Sequence, residues 1–116
     1  MKPFLALVDL QVDYLCEPGL EPHRSTVIGG AAELLRAVRE RGWAVCHVWT
    51  TARRDPDDRM PHWKSARRWN CLDGTAGHAP PPKLAPLAGE KRVHKTGFNP
   101  FREPQFAEWI RANAFD

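Results

Sequence analysis

The stretch LVDLQVDYL (Leu7–Leu15) decides the fold. An apolar run that begins at Phe4 is cut by Asp9, and a second acid follows at Asp13. A short, continuous apolar run is typical of a strand that is buried on both faces of a sheet. The sequence therefore predicts a buried strand from Phe4 to Asp9 with a carboxylate at its end.

The residues that follow this strand predict a helix and a second strand. Apolar residues recur at helical spacing between residues 28 and 38, after a predicted cap at Ser25 or Thr26. Trp43–Thr50, with the sequence WAVCHVWT, predicts another buried strand. A helix that connects two strands makes them parallel neighbours, so we expect an α/β fold with helices on both faces of the sheet.

The second half of the chain begins with a long irregular segment. Residues 51–90 contain six prolines and no clear apolar period, which is typical of a functional loop or lid. Lys91–Lys95 predicts a third, shorter strand. Pro104 fits the first turn of a final amphipathic helix.

Composition limits the class of protein. The 116 residues suffice for one domain (1–116), 42% of them are apolar, and the net charge is +3. This mild excess of positive charge argues against nucleic acid as a partner, and no apolar segment is long enough to span a membrane. Three cysteines without CxxC spacing favour a reduced, cytoplasmic protein without disulfides.

Three motifs in order resemble the isochorismatase-like cysteine hydrolases. The segment ALVDLQVDYL matches that family's strand followed by Asp-x-Gln-x-Asp-aromatic. The segment CLDGTAGHAP (71–80) is similar to its Cys-x-x-Gly-Thr-x-Gly segment, and HKTGFNPF (94–101) to its Lys-x-x-x-(Ser or Asn)-x-Phe segment. The resemblance covers essentially the whole chain and implies a Rossmann-like, three-layer α/β/α fold with a parallel sheet.

The resemblance implies an Asp-Lys-Cys triad that hydrolyses C–N bonds of small amides or ureides, or a related small molecule. By motif, Asp9 is the base that takes the thiol proton and Lys95 stabilises the thiolate. Elementary chemistry agrees, because ligands of open α/β sheets gather at the carboxyl ends of the strands. A neighbouring cation also lowers the pKa of a thiol.

The chain departs from the family at the nucleophile. The family's cysteine follows a fourth strand, and none of Cys16, Cys46 and Cys71 occupies that place. The family's strand order of 3-2-1-4-5-6 implies that about three of six strands are present and that the first strand is an unpaired edge. We therefore expect half of a functional unit, inactive alone: a truncated product, a fragment, or one chain of a split enzyme.

Two functions stay open from the sequence. The first is a portion of a cysteine hydrolase that assembles with a second copy or a complementing chain. The second is a non-catalytic module that binds a partner through the open sheet edge, since such edges invite pairing.

Further residues are predicted around the site. The predicted substrate-binding residues are Gln11, Tyr14, Trp63 and Phe101. For residues 53–68, a solvated basic loop is weighed against an arginine that lines the site together with Trp63 or Trp69. No cofactor is expected, and phosphate-loop and dinucleotide fingerprints are absent. No metal is expected, because the loop after the second strand lacks the Asp-x-His pair of the metal-binding relatives and Asn70 replaces their histidine.

Overall fold

A three-stranded parallel sheet forms the centre of the computed structural model, which describes residues 2–115. Strands β1 (Phe4–Val8), β2 (Ala44–Thr50) and β3 (Lys91–Lys95) lie side by side in the order β1-β2-β3. The register pairs Val8 with Val48 and Thr50 with Lys95. All three carboxyl ends therefore meet at one edge of the sheet.

Helices cover both faces of this sheet, as the sequence predicts. The bounds are α1 (Val12–Leu15), α2 (Arg24–Glu40), α3 (Pro61–Ser65) and α4 (Pro104–Asn113), with 3-10 turns at Pro82–Leu84 and Pro100–Arg102. Leu35 and Val38 of α2 pack on one face against Leu7 and Val45. Phe106 of α4 packs on the other face, and the α/β/α layering of the expected fold class is confirmed.

Strand β1 differs from its expected burial. Six of the seven residues of β2 are buried, whereas only Leu7 is buried in β1 and Val8 is 42% exposed. The physical reason is position: β2 has a strand on each side, and β1 is an edge of the described sheet. The apolar run identified the strand correctly but overstated its burial.

The predicted cap of α2 is also corrected. The helix begins at Arg24, so Ser25 and Thr26 lie within its first turn. The cap is His23, whose Nδ1 accepts a hydrogen bond from the backbone N–H of Ser25 at 3.2 Å. An imidazole nitrogen can take the acceptor role that hydroxyl and carboxyl oxygens usually have at this position.

The segment 51–90 is largely irregular, as predicted, but it is anchored. Ala52 forms an isolated parallel bridge with Leu72, and its N–H donates to the Cys71 carbonyl at 2.9 Å. Met60 and Trp63 join Ala52 and Cys71 in a small core of their own. These contacts therefore hold the segment after β2 in a fixed position beside the carboxyl end of the sheet. Within residues 2–115, no helix has the length and apolar character needed to cross a bilayer.

Candidate active site

Asp9 lies at the first residue beyond β1, in a backbone conformation that side chains seldom adopt. Its φ is 60°, and its N–H donates to the Val48 carbonyl at 2.9 Å, which keeps the residue attached to the sheet. Residues other than glycine keep this left-handed conformation only where the surrounding structure holds them in it, and such residues cluster at functional sites. The bend aims the Asp9 carboxylate along the carboxyl edge of the sheet towards β3.

Lys95, the last residue of β3, meets this carboxylate. Its Nζ lies 3.1 Å from Asp9 Oδ1 and 3.2 Å from Oδ2, and its side chain is only 1% exposed. The same ammonium donates to Thr50 Oγ1 and to the Gly97 carbonyl, each at 2.9 Å. The three hydrogens of the ammonium are thus used in three directions, which fixes the cation beside Asp9.

Thr50, which the sequence analysis missed, joins the two charged residues. Its Oγ1 lies 2.8 Å from Asp9 Oδ1 and 2.9 Å from Lys95 Nζ. Because an ammonium can only donate, the hydroxyl must accept from Lys95 and give its own hydrogen to Asp9. Its place at the end of β2, in register with Lys95, was the available signal.

Gln11 is buried and fully engaged with the backbone. Its Nε2 donates to the carbonyls of Thr50 and His78 at 2.9 and 2.8 Å, and its Oε1 accepts from the Thr50 N–H at 2.9 Å. Both hydrogens of the amide are therefore taken by the protein itself. Gln11 joins the turn after Asp9 to the end of β2 and to the loop around His78.

The contacts of Asp13 explain why the second glycine of the GTAG segment (74–77) is a glycine. Its Oδ2 accepts from the Cys71 N–H at 2.7 Å, and its own N–H donates to the Gly77 carbonyl at 3.0 Å. A Cβ added at Gly77 would overlap the Asp13 carboxyl group. Only glycine lets the loop approach this closely, so the structure links the first two motifs directly.

Cys71 lies in this region but is not a thiolate. It is 0% exposed, and burial, with the charges of Asp13 and Asp9 next, raises the pKa of its thiol to about 12. Cys46 is equally inaccessible in the core, where burial raises its pKa to about 11. Cys16 is exposed at the carboxyl end of α1.

Tyr14 connects the charged pair to a pocket. Burial raises the pKa of its hydroxyl to about 12, and this hydroxyl interacts with Thr50 and Cys71. Its ring lines a cavity of about 380 Å³ together with Trp63, whose ring centroid lies 6.2 Å away. Two of the predicted substrate-binding residues therefore meet in one pocket. Its other lining residues are Glu17, Leu20, His62, Ala66, Arg68 and Asn70.

Phe101 lies apart from this pocket. Its ring packs edge-on against Phe106 of α4 and is 61% exposed. The neighbouring aromatic Phe98 instead stacks on His62, which lines the pocket, with the rings 7° from parallel. The structure thus places Phe98 nearer to the pocket lining than the motif residue Phe101.

Three of the six arginines and lysines in the basic segment 53–68 form ion pairs. Arg53 pairs with Asp58, and Arg68 pairs with Glu17 at the rim of the pocket. Arg59 pairs with Asp57 and stacks on Trp69 at 3.7 Å. Trp69 is covered by arginine rather than open to a ligand, whereas Trp63 and Arg68 line the cavity. Residues 2–115 contain no group of three or more His, Cys, Asp or Glu side chains that could hold a metal ion.

The geometry agrees with a comparison of the sequence with known families. A model of the isochorismatase domain matches residues 3–116. The chain belongs to the isochorismatase family. The comparison with curated proteins gives no match.

Solved structures of the family share the fold. An isochorismatase family protein from Desulfovibrio vulgaris is 28% identical, with a TM-score of 0.80 over 97% of this chain and 62% of that one. N-carbamoylsarcosine amidase from Thermoplasma acidophilum is 25% identical, with a TM-score of 0.81 over 100% and 64%. A Bacillus subtilis nicotinamidase/pyrazinamidase, at 21% identity and a TM-score of 0.82 over 99% and 67%, supports the fold alone. The chain spans less than two thirds of the first two structures.

Proposed function

We propose that this chain contributes the base and the cation of a cysteine-hydrolase site that cleaves C–N bonds of small amides or ureides. The observation that carries the proposal is the buried Lys95 ammonium held 3.1 Å from the partly exposed Asp9 carboxylate at the carboxyl edge of the sheet. A carboxylate with one open side can accept a proton, and a fixed cation beside it can stabilise a thiolate. The chain belongs to the isochorismatase family, and one of the solved structures that resemble it is an amidase. Both findings support the same chemistry.

The proposed reaction uses Asp9 twice. Asp9 takes the proton of a thiol, the thiolate attacks the carbonyl carbon, and Lys95 stabilises the negative sulfur before the attack. The proton then passes to the leaving nitrogen as the C–N bond breaks, which leaves an acyl group on sulfur. Asp9 finally takes a proton from water, whose oxygen attacks the thioester; as the C–S bond breaks and the acid leaves, Asp9 returns that proton to the sulfur, which restores the free thiol and the carboxylate.

The thiol in this proposal is none of the three cysteines in its observed environment. Cys46 and Cys71 are buried and protonated, and Cys16 lies beyond α1. We propose that the nucleophile arrives on a further parallel strand that pairs with the free edge of β1, beside Asp9. The length of the matched structures beyond the shared part leaves room for such a strand.

The substrate in this proposal is small and has a planar part. Tyr14 and Trp63 both line the cavity, and apolar and aromatic walls suit planar ligands. Its rim carries the Arg68–Glu17 pair and Asn70, which can orient a polar group.

The experiment is an amidase assay on a panel of small amides and ureides, with the chain alone and with any co-transcribed chain. Asp9→Asn and Lys95→Met should each lower kcat by at least about 100-fold, because general base catalysis contributes 10²–10⁴. The matched control is Glu40→Gln, which removes an exposed carboxylate on α2 and should leave kcat unchanged. Activity that survives in Asp9→Asn would exclude the proposed base.

A second function, a non-catalytic binding module, is favoured by one observation. The edge of β1 is unpaired in the described sheet, and Val8 exposes 42% of its surface at the carboxyl end of the strand. In this case the occupant of the edge is a strand of a partner chain. A Val8→Lys variant should then weaken association in sedimentation velocity, and neither the chain nor its complex should hydrolyse the amide panel. Hydrolysis by the chain alone, lost in Cys16→Ser, would contradict both this module and a nucleophile on a further strand.

A further inference from the structure

Two histidines outside the Asp9–Lys95 pair share one hydroxyl group. Thr51 Oγ1 lies 2.8 Å from His78 Nε2 and 2.8 Å from His94 Nδ1. The two imidazole rings are stacked, with centroids 5.7 Å apart and planes 9° from parallel. Trp49 lies edge-on against both rings.

A neutral imidazole completes this arrangement. The Thr51 hydroxyl has one hydrogen and two lone pairs, so its hydrogen has an acceptor here when one ring nitrogen is unprotonated, while the other ring donates its N–H to Oγ1. Protonation of the accepting ring removes the acceptor and puts a cation against the stacked neighbour. A second proton would place two like charges in the stack. The contact geometry is therefore complementary to the uncharged pair.

The surroundings also favour the uncharged pair. Burial is the first cause that lowers the pKa of His78 and of His94 below the usual value. The charged groups that face the pair come from α1, the segment after β2, the loop before His78, and β3: Asp13, Arg53, Asp73 and Arg92. The two arginines act in the same direction as burial, and the two aspartates oppose it.

The loop that carries His78 holds the turn that follows Asp9. The N–H of Val12 donates to the Ala79 carbonyl at 2.9 Å, and the N–H of Asp13 donates to the Gly77 carbonyl at 3.0 Å. Gln11 donates to the carbonyl of His78 itself at 2.8 Å. The side chain of His78 adds a contact between this loop and the end of β2 at Thr51, beside Gln11, which bonds the backbone of both Thr50 and His78.

We propose that His78, His94 and Thr51 form an acid-sensitive clamp that positions the turn after Asp9. While the rings are neutral, the clamp fixes residues 77–79 on β2, and those residues fix residues 11–13. When the accepting ring takes a proton, the Thr51 hydroxyl hydrogen loses its acceptor, a cation faces the stacked neighbour, and both segments loosen together. His78 is thus a positioning residue. Its importance for catalysis rests on the proposed function, whereas the clamp itself does not.

The direction of the pH effect follows from linkage. Histidines with a lowered pKa in the folded protein bind fewer protons there than in the open form. The clamp's contribution is therefore complete above the unfolded pKa of about 6.5 and is lost as the pH falls below it.

The test is hydrogen exchange by NMR on the full chain between pH 7.5 and 5.5. The protection factors of Val12 and Asp13 should fall by up to about tenfold per pH unit below 6.5 for each extra proton that the open form binds. The amide of Leu35, on the buried face of α2, reports global opening, and its protection factor should fall less. In the double variant His78→Gln, His94→Gln the fall at Val12 and Asp13 should disappear.

Matched variants separate the clamp from packing. Thr51→Val, which removes the hydroxyl, should lower the protection of Val12 and Asp13 at pH 7.5 to near the wild-type value at pH 5.5, while Thr51→Ser should keep the wild-type profile. His62→Gln, an exposed histidine outside the clamp, should leave the pH profile unchanged. An unchanged pH profile in the double variant would overturn the proposal. Because no step measures hydrolysis, failure of the proposed function would leave this result intact.

Discussion

Lys95 Nζ lies 3.1 Å from Asp9 Oδ1, yet the lysine side chain is 1% exposed and the aspartate side chain 31%. The two members of the pair therefore depend on each other unequally. Water can solvate the carboxylate if its partner is removed, whereas a buried ammonium without its counter-ion has only Thr50 and the Gly97 carbonyl.

This difference in burial predicts that the two site variants lower the free energy of unfolding by different amounts. Asp9→Asn leaves the buried cation uncompensated and should lower the free energy of unfolding by on the order of 3 kcal/mol. Lys95→Met leaves a solvated carboxylate and should cost less than half as much. Urea unfolding at pH 7 measures both values. Glu40→Gln, which breaks an exposed pair with Arg36, should cost at most about 0.5 kcal/mol. An equal cost for the two site variants would contradict the burial argument.

A second prediction concerns the glycine that touches Asp13. In Gly77→Ala the new methyl group would overlap the Asp13 carboxyl group, which must move away from the Cys71 N–H. The lost hydrogen bond and the displaced loop should lower the free energy of unfolding by about 2–3 kcal/mol. The control is Gly30→Ala in α2, where a Cβ meets no atom within 4 Å. That variant should gain about 0.5–1 kcal/mol, and destabilisation of equal size in both would contradict the prediction.

The sequence was sufficient for the scaffold and for the charged pair. Apolar runs separated by a helical period indicate a parallel sheet, and the ends of its strands place Asp9 and Lys95 at one edge. Sequence motifs did not distinguish Phe98 from Phe101, because the 3-10 turn at Pro100–Arg102 decides which ring faces α4.

Thr50 and Thr51 show why the remaining contacts could not be predicted. Adjacent residues at the end of a strand point to opposite sides, so Thr50 bonds to Asp9 while Thr51 bonds to His78. The partner of each threonine depends on strand register and on how residues 71–79 fold back over β2. The register and the path of this loop both depend on contacts that are distant in sequence, so hydrophobic periodicity does not predict them.

A third prediction concerns acid stability and rests on Glu90. Arg39 binds this carboxylate through Nε and Nη2 at 2.9 and 2.8 Å, and the buried His47 Nε2 lies 2.9 Å from it. The hydrogen bonds from Arg39, first of all, lower the pKa of Glu90 to about 2. A carboxyl group with a lowered pKa stabilises the fold above its unfolded pKa, and this contribution is lost as the pH falls through about 2.

The measurement for Glu90 is urea unfolding as a function of pH. Wild type should lose about 2–3 kcal/mol from this group between pH 5 and pH 2. Glu90→Gln should be less stable than wild type at pH 7, and the difference should shrink over the same interval. Glu40→Gln, on the exposed surface of α2, should show the same pH dependence of the free energy of unfolding as wild type. A difference in the free energy of unfolding between wild type and Glu90→Gln that stays constant with pH would show that Glu90 does not cause the loss of stability in acid.

The last prediction concerns the reactivity of the three cysteines. Cys16 is exposed, whereas Cys46 and Cys71 are each 0% exposed and burial raises their pKa values to about 11 and about 12. Since the thiolate is the reactive form, iodoacetamide at pH 8 should label the native chain once, at Cys16, and the urea-unfolded chain three times. Intact-mass spectrometry with peptide mapping counts the labels, and Cys16→Ser should take none in the native state. Rapid native labelling of Cys71 would mean that the loop over β2 opens readily, and would return Cys71 to consideration as the nucleophile beside Asp9.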